Sequence, residues 1–143
     1  MNMHYPFHRH RQDGFTLLEL LVVVAIIGLL VAYVGPKYFT QVGKSEVTAA
    51  RAQIDAFGKA LDQYRLDVGR YPTTEQGLSA LLAAPSGTPK WGGPYLAKAV
   101  PLDPWGHAYV YRSPGEKLEY ELLSHGKDGA AGGSGDTADI SNQ

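Results

Sequence analysis

Residues 14–34 read Gly-Phe-Thr-Leu-Leu-Glu-Leu-Leu-Val-Val-Val-Ala-Ile-Ile-Gly-Leu-Leu-Val-Ala-Tyr-Val, and this stretch decides the architecture of the chain. From Phe15 onward it is apolar all round, and its length matches the roughly 20 residues that a helix needs to cross a bilayer. Its one charged residue is Glu19. Because a carboxylate inside a membrane costs about 2.5–3.5 kcal/mol on insertion scales, Glu19 requires a partner or a function. The sequence therefore predicts a transmembrane helix over 15–34 with an acid near its start.

Three plainer interpretations of this stretch compete, and on the pattern alone an ordinary single-span anchor is the best of them. A cleaved secretory signal is disfavoured, because the apolar run is too long and no Ala-x-Ala-like exit follows it. A buried helix of a soluble protein would be amphipathic, which this stretch is not. An ordinary single-span anchor explains the hydrophobicity, but it leaves Gly-Phe-Thr-Leu-Leu-Glu at the start of the span unexplained.

The motif from Gly14 to Glu19 resembles the processing site of type IV pilins and type II secretion pseudopilins. The resemblance implies that a membrane aspartyl protease, the prepilin peptidase, cuts after Gly14 and methylates the new terminal Phe15. A glycine before the cut lets the backbone lie extended in a protease cleft. The cut would create an amine that the Glu19 carboxylate can neutralise, within one chain or between subunits. We expect pairing between subunits, because a buried polar pair can define the register of an assembly.

The composition restricts the other classes of function. The chain has 143 residues and a net charge of −1, so it lacks the positive charge of a nucleic-acid-binding protein. It has no cysteine, so disulfides cannot stabilise a small domain, and a bound metal is one candidate for that role. His107 and His125 lie near aspartates but lack the spacing of a metal-binding helix or a nucleophile elbow. An enzyme is therefore not predicted.

The chain after the span continues as a helix of different character. Gly35-Pro36 and Gly43 are expected to weaken or bend it, because proline removes a backbone hydrogen bond. Further on, apolar residues recur every three or four positions, which favours a face that packs on its own domain over a coiled-coil seam. This stripe consists of Val47, Ala50, Ile54, Phe57, Leu61, Tyr64 and Val68. The prediction is an amphipathic helix over 35–68 that continues into a head.

Residues 69–143 are predicted to form a small α+β head. Gly69-Arg70-Tyr71-Pro72 ends the long helix, and Thr73 and Gln76 have the spacing of a capping box that starts a short helix. Tyr109–Tyr111 and Tyr120–Leu123 have strand character, and the turn sequence between them predicts an antiparallel hairpin.

The pattern of the second strand predicts which side chains face the helix. Leu118, Tyr120 and Leu122 alternate with Glu119 and Glu121, so the apolar set is expected to face the core and the two acids to face solvent.

Three segments of the head are similar to protein G, the major pseudopilin family of type II secretion: Tyr71–Leu78, Trp91 with Gly93–Leu96, and Asp103–Gly106. With the amino-terminal motif they cover nearly the whole chain. The resemblance implies a type IV pilin-like α+β fold, with a long N-terminal helix packed on a small antiparallel sheet. It implies a structural subunit that polymerises to drive folded proteins across the outer membrane. Physically, Asp103-Pro104-Trp105-Gly106 is interpreted as a tight turn with a buried indole.

The last segment, residues 125–143, is rich in Gly, Ser and Asp. This composition alone is typical of a disordered tail. The alternative is a calcium loop, because hard cations take several oxygen ligands and glycines let the chain fold back; the spacing excludes an EF-hand. The resemblance to protein G favours calcium and implies three carboxylates and two carbonyls as ligands. They are the side chains of Asp128, Asp136 and Asp139 and the carbonyls of His125 and Ala138, or Thr137 in place of Ala138.

The resemblance also implies partners and a location. The partners would be other copies of the chain, minor pseudopilins, the prepilin peptidase and an inner-membrane assembly platform. The chain would pass once through the inner membrane of a Gram-negative bacterium, with its head in the periplasm. This orientation depends on the resemblance, because cations both precede and follow the span and the positive-inside count does not favour it. The alternatives are a type IV pilin subunit and a membrane-tethered calcium-binding module that acts alone.

Overall fold

The computed structural model describes residues 14–143, which contain one long helix, three short 3-10 helices and a three-stranded sheet. The helix α1 spans Leu17–Val68. The 3-10 helices η1, η2 and η3 span Leu78–Leu81, Gly126–Asp128 and Gly135–Thr137. The strands β1, β2 and β3 span Val110–Arg112, Glu121–Ser124 and Ile140–Ser141. The chain divides into two compact units between Phe39 and Thr40.

Helix α1 includes the predicted span from Leu17 onward and the whole predicted amphipathic segment, and Pro36 lies inside it. Its start is capped by Thr16, whose hydroxyl oxygen accepts a hydrogen bond from the Glu19 N–H at 3.1 Å. Such a cap satisfies one of the backbone donors that have no partner in the first turn of a helix. Thr16 and Glu19 have the spacing of a capping-box signal, which the sequence reasoning missed.

In the first unit, α1 is long and apolar enough to cross a membrane, by its length and composition. The apolar side chains of this half, from Leu17 to Val34, are exposed. Such a surface is suited to lipid or to other apolar helices. A bilayer-length helix that is apolar all round has no side adapted to water.

In the second unit, the predicted stripe of α1 faces the core. The buried side chains of this half are Ala50, Ile54, Phe57, Ala60, Leu61 and Tyr64. They pack with Leu78, Ala80, Leu81, Tyr111, Leu122 and Ile140. Arg51, Asp55 and Lys59 lie on the exposed side. The prediction of a helix face that packs on its own domain is confirmed, with Ala60 as an additional member.

The sheet has the order β1-β2-β3 with both pairs antiparallel. The predicted hairpin is confirmed, and Tyr111 of β1 pairs with Leu122 of β2. The strand β3 was not predicted. It lies inside the segment whose composition is typical of disorder, and its Ile140 pairs with Ser124.

The alternation predicted around the start of β2 is wrong at two positions. Glu121 is buried, at 8% exposure, whereas Leu118 is 43% exposed. The strand begins only at Glu121, so Leu118 belongs to the hairpin connection, where a period of two does not apply. The Glu121 carboxylate turns back over that connection and accepts a hydrogen bond from the Glu116 N–H at 3.3 Å.

The predicted capping box has the expected reciprocal bonds. The Gln76 N–H donates to Thr73 Oγ1 at 3.3 Å, and the Thr73 N–H donates to Gln76 Oε1 at 3.0 Å. A turn follows instead of an α-helix, because Gly77 has φ 58° and ψ −165°, a conformation outside the helical region. The short helix is η1, which begins one residue later.

Candidate functional site

The predicted processing residues at the start of α1 are exposed. Gly14 and Phe15 precede the helix and are exposed, and no atom lies within 4 Å of the position that a Cβ of Gly14 would take. Glu19 lies in the first helical turn, where the helix dipole favours a negative charge. The predicted leader, residues 1–14, lies outside the described residues except for Gly14.

The carboxy-terminal loop has two arms that lie against each other: a first arm, residues 125–128, and a second arm, residues 135–139. Gly126 has φ +67°, and a Cβ there would lie 2.9 Å from the Ala138 carbonyl oxygen and 3.3 Å from that of Thr137. His125 Nδ1 lies 3.1 Å from Asp139 Oδ1. The structure thus places Gly126 of the first arm against Thr137 and Ala138 of the second arm and the His125 ring beside Asp139, and the segment is folded.

The carboxylates of the loop accept backbone hydrogen bonds. Asp128 Oδ1 accepts from the Ala130 N–H at 3.2 Å, and Asp139 Oδ2 accepts from the Gly132 N–H at 2.9 Å. The bond from Gly132 lowers the pKa of Asp139, and the contact with the His125 ring acts in the same direction. The sequence reasoning assigned His125 only a carbonyl role and missed this ring contact.

The oxygen donors of the loop are of the chemical type that calcium binds. Carboxylate and carbonyl oxygens are the ligands that this cation takes, commonly six to eight of them. Among the described side chains, no group of three or more His, Cys, Asp or Glu residues is gathered as a metal site. The side chain of Asp136 lies outside the described part. Asp128, Asp139 and the loop carbonyls are therefore the described groups that could hold the cation.

The turn Asp103-Pro104-Trp105-Gly106 is tight, as predicted, but its buried group is not the indole. The Gly106 N–H donates to the Asp103 carbonyl at 3.0 Å. Asp103 is 4% exposed, whereas Trp105 is half-buried and its Nε1 donates to Glu46 Oε2 at 2.9 Å. The indole packs at the edge of the core because its N–H requires a polar partner, which the helix supplies.

The buried carboxylate of Asp103 is a feature that the sequence reasoning missed. Its Oδ1 accepts from the Trp105 N–H at 3.1 Å and the His107 N–H at 2.7 Å, and its Oδ2 accepts from the Ser124 hydroxyl at 2.5 Å. An aspartate that bonds the backbone two residues on is a known turn signal, which could have indicated the Trp105 contact. No local pattern indicates Ser124, which is distant in sequence.

These features together define a class of protein. A membrane-length helix that begins at a Gly-Phe-Thr-Leu-Leu-Glu motif, and whose second half packs on a small antiparallel sheet, is the arrangement of type IV pilin-like subunits.

Comparisons with known proteins narrow this class. The family model described as type II secretion system (T2SS), protein G, matches residues 37–143, and the prokaryotic N-terminal methylation motif matches residues 9–35. The chain is 45% identical over 137 residues to the type II secretion system core protein G of Pseudomonas aeruginosa, covering 94% of this chain and 96% of the relative. It is 44% identical over 135 residues to that of Vibrio cholerae, covering 92% of each.

A solved structure agrees with these sequence relatives. The crystal structure of the major pseudopilin from the type 2 secretion system of enterohaemorrhagic Escherichia coli has a TM-score of 0.59 and 35% identity, covering 73% of this chain and 91% of that one. The chain therefore belongs to the type II secretion system protein G family.

Proposed function

We propose that the protein is the major structural subunit of a type II secretion pseudopilus, a filament whose growth drives folded proteins across the outer membrane. The observation that carries this proposal is the succession of the methylation motif and the protein G region along one chain, residues 9–35 and 37–143. The exposed apolar half of α1 supports it, because that surface is adapted to lipid before assembly and to other copies of the helix afterwards.

The assembly route follows from the start of α1. The prepilin peptidase cuts after Gly14 and methylates Phe15, and Glu19 then pairs with the Phe15 amine of a neighbouring subunit. The span lies in the inner membrane with the head in the periplasm, and minor pseudopilins and an inner-membrane assembly platform are the further partners. The role is structural and not catalytic.

The first experiment tests processing. The intact mass of the protein from its host should correspond to a chain that begins at a methylated Phe15. A Gly14→Val variant should retain residues 1–14, because a branched side chain obstructs the extended backbone in the protease. A wild-type protein that keeps residues 1–14 and never forms a polymer would overturn the proposal.

The second experiment tests the charge of Glu19. Glu19→Gln keeps the shape and removes the charge, so we expect loss of filaments and of cargo secretion while the protein is still cleaved. Asp55→Asn, on the exposed side of α1, is the matched control and should assemble normally. Normal filaments from Glu19→Gln would exclude a charge pair as the basis of the register.

We further propose that the carboxy-terminal loop binds calcium through Asp128, Asp136 and Asp139, with carbonyls of His125 and of Ala138 or Thr137. When bound, the cation would neutralise the acids and join the two arms. A ligand at 100 times its Kd stabilises a fold by about 2.7 kcal/mol. Chelator should therefore lower the melting temperature and expose residues 129–135 to protease.

Variants connect this effect to the loop. Asp128→Asn and Asp139→Asn should each reduce the difference between the melting temperatures with calcium and with chelator. Glu116→Gln, an acid of the β1–β2 connection outside the loop, should leave that difference unchanged. Equal melting of the wild-type chain in calcium and in chelator would refute the calcium proposal and leave the subunit role intact.

A further inference from the structure

The peptide group between His125 and Gly126 is held from one side by buried side chains. The Gly126 N–H donates to Ser124 Oγ at 3.1 Å. The Ser124 hydroxyl in turn donates to Asp103 Oδ2 at 2.5 Å. Ser124 is fully buried and Asp103 nearly so, so these hydrogen bonds do not compete with bulk water.

The following peptide group is held by the same turn. His107 Nδ1 lies 3.2 Å from the Gly126 carbonyl oxygen, and because a carbonyl only accepts, Nδ1 must carry the proton. The ring also packs on Gly129, where a Cβ would lie 3.0 Å from His107 Cε1 and Nε2. His107 is itself bonded to Asp103, whose N–H donates to the His107 carbonyl at 2.8 Å. Both peptides that flank Gly126 are therefore anchored to the 103–107 turn.

This anchoring determines the direction of one expected calcium ligand. In a planar trans peptide, the C=O and N–H groups point in opposite directions. Because the Gly126 N–H points at Ser124 in the interior, the His125 carbonyl must point away from it. We propose that Asp103, Ser124 and His107 are positioning residues that aim the His125 carbonyl and order the first arm before the cation arrives. This inference rests on the calcium proposal above.

The second arm is held differently. Its described bonds, among them the Thr137 hydroxyl to the Ser134 carbonyl at 3.0 Å and the Gly132 N–H to Asp139, lie in exposed parts of the loop. Solvent competes with such bonds, so they order a segment less firmly than buried ones. In this proposal the cation adds order to the less firmly held second arm, and the anchored first arm reduces the ordering that binding requires.

The experiment measures calcium affinity by titration calorimetry on the full chain in detergent. Loss of a group that orients a metal ligand typically weakens affinity about 10–100-fold, and Ser124→Ala should raise Kd within that range. Thr88→Val is the matched control, because Thr88 is also buried and its hydroxyl donates to the Pro85 carbonyl at 2.5 Å. It should lower the melting temperature without changing Kd.

Two variants of His107 keep the test decisive if Ser124→Ala does not fold. The His107 side chain is 41% exposed, so its replacement is tolerated more easily than that of Ser124. His107→Ala should weaken calcium binding, and His107→Asn, which restores a donor near the position of Nδ1, should recover it. A purely structural role would lower stability in both variants without this recovery of affinity.

Hydrogen exchange of the Gly126 amide in calcium-free buffer tests the order of events directly. The amide should be protected in the wild-type chain and in Thr88→Val, and exchange faster in Ser124→Ala. An unprotected wild-type amide, or an unchanged Kd in Ser124→Ala and His107→Ala, would overturn the positioning role alone. A wild-type chain that binds no calcium would overturn the calcium proposal and this inference with it.

Discussion

The two halves of α1 belong to one helix, yet they bury their apolar residues in different ways. Between Leu17 and Val34 the side chains are apolar all round and the described protein covers none of them. Between Val47 and Val68 the apolar residues occupy a single stripe, and the head covers it. The first half therefore depends on lipid or other subunits, whereas the second half is stabilised by its own chain.

This difference separates assembly from folding. A substitution in the second half acts on the free energy of unfolding of the head, since that is where its contacts lie. A substitution in the first half acts on membrane insertion or on contacts between copies, and the head is expected to fold unchanged. The predictions below compare matched substitutions, and each names the result that would contradict its expectation.

The largest expected effect is on the free energy of unfolding, when the same Leu→Ala substitution is made in each half of α1. Leu61 is 0% exposed and Leu21 is 62% exposed. Leu61→Ala should reduce the free energy of unfolding of the head by about 2–5 kcal/mol, because it removes buried methyl groups and leaves a cavity. Leu21→Ala should change it by less than about 0.5 kcal/mol. Chemical unfolding in detergent measures both values.

Leu66 provides the control inside the second half. It is 78% exposed on the same helix, so Leu66→Ala should behave like Leu21→Ala and not like Leu61→Ala. A cost of several kcal/mol at Leu21 would show that the first half contributes to the stability of the head and would break the comparison.

The next effect concerns the tyrosines of the head at alkaline pH. Burial raises the pKa of Tyr111 to about 12, whereas a phenol in the unfolded chain ionises near pH 10. Because the pKa is higher in the folded state, burial of the neutral Tyr111 phenol contributes stability that is fully present below about pH 10. This contribution is lost as the pH rises towards 12. For Tyr111 the loss is at most about 3 kcal/mol.

Urea unfolding between pH 8 and pH 12 measures this dependence. Tyr111→Phe should be less stable at pH 8, because it removes the hydrogen bond to the Pro72 carbonyl at 2.8 Å, but its stability should fall less steeply above pH 10. Tyr38→Phe, at an exposed position of α1, should keep the wild-type slope. Equal slopes in wild type and Tyr111→Phe would contradict the prediction.

The smallest effect lies near the beginning of the packed half, where Glu46 accepts the indole hydrogen bond of Trp105. Glu46→Ala should cost about 1 kcal/mol, the usual net value of one hydrogen bond. Glu46→Gln retains an acceptor and should remain close to wild type. Thermal melts of the two variants give the comparison, and an equal loss in both would show that the charge, and not the hydrogen bond, stabilises this contact.

Sequence reasoning succeeded where a feature repeats along the chain. The span and the packing stripe of α1 follow from periodicity, and the β1–β2 hairpin follows from its turn. It failed for β3, because two residues give no periodicity. That strand is held by its pairing with β2, which is distant in sequence. The adjacent Asn142 adds a side-chain bond to β2, because its Oδ1 accepts from the Leu122 N–H at 2.9 Å. It failed also at Glu121, since the end of a strand is determined by its hydrogen-bonding partner.

The candidate sites show the same division. The residues Gly14, Phe15 and Glu19 could be named from a short linear motif and its resemblance to pilin processing sites, because such a motif is local in sequence. Asp128 and Asp139 could be named from their carboxylates and the resemblance to protein G. The contact of the His125 ring with Asp139 could not, because it requires the loop to fold back on itself.

By itself, the sequence determined that one end of this protein is apolar enough to enter a membrane and that the next segment packs on its own head. Those properties depend on residue type and spacing, which are local. Only the tertiary structure decided that the Asp103 carboxylate is buried against Ser124 and that Ser124 in turn holds Gly126. The physical reason is that a buried polar group must find its partners in space, and a turn and a strand distant in sequence meet only when the chain folds.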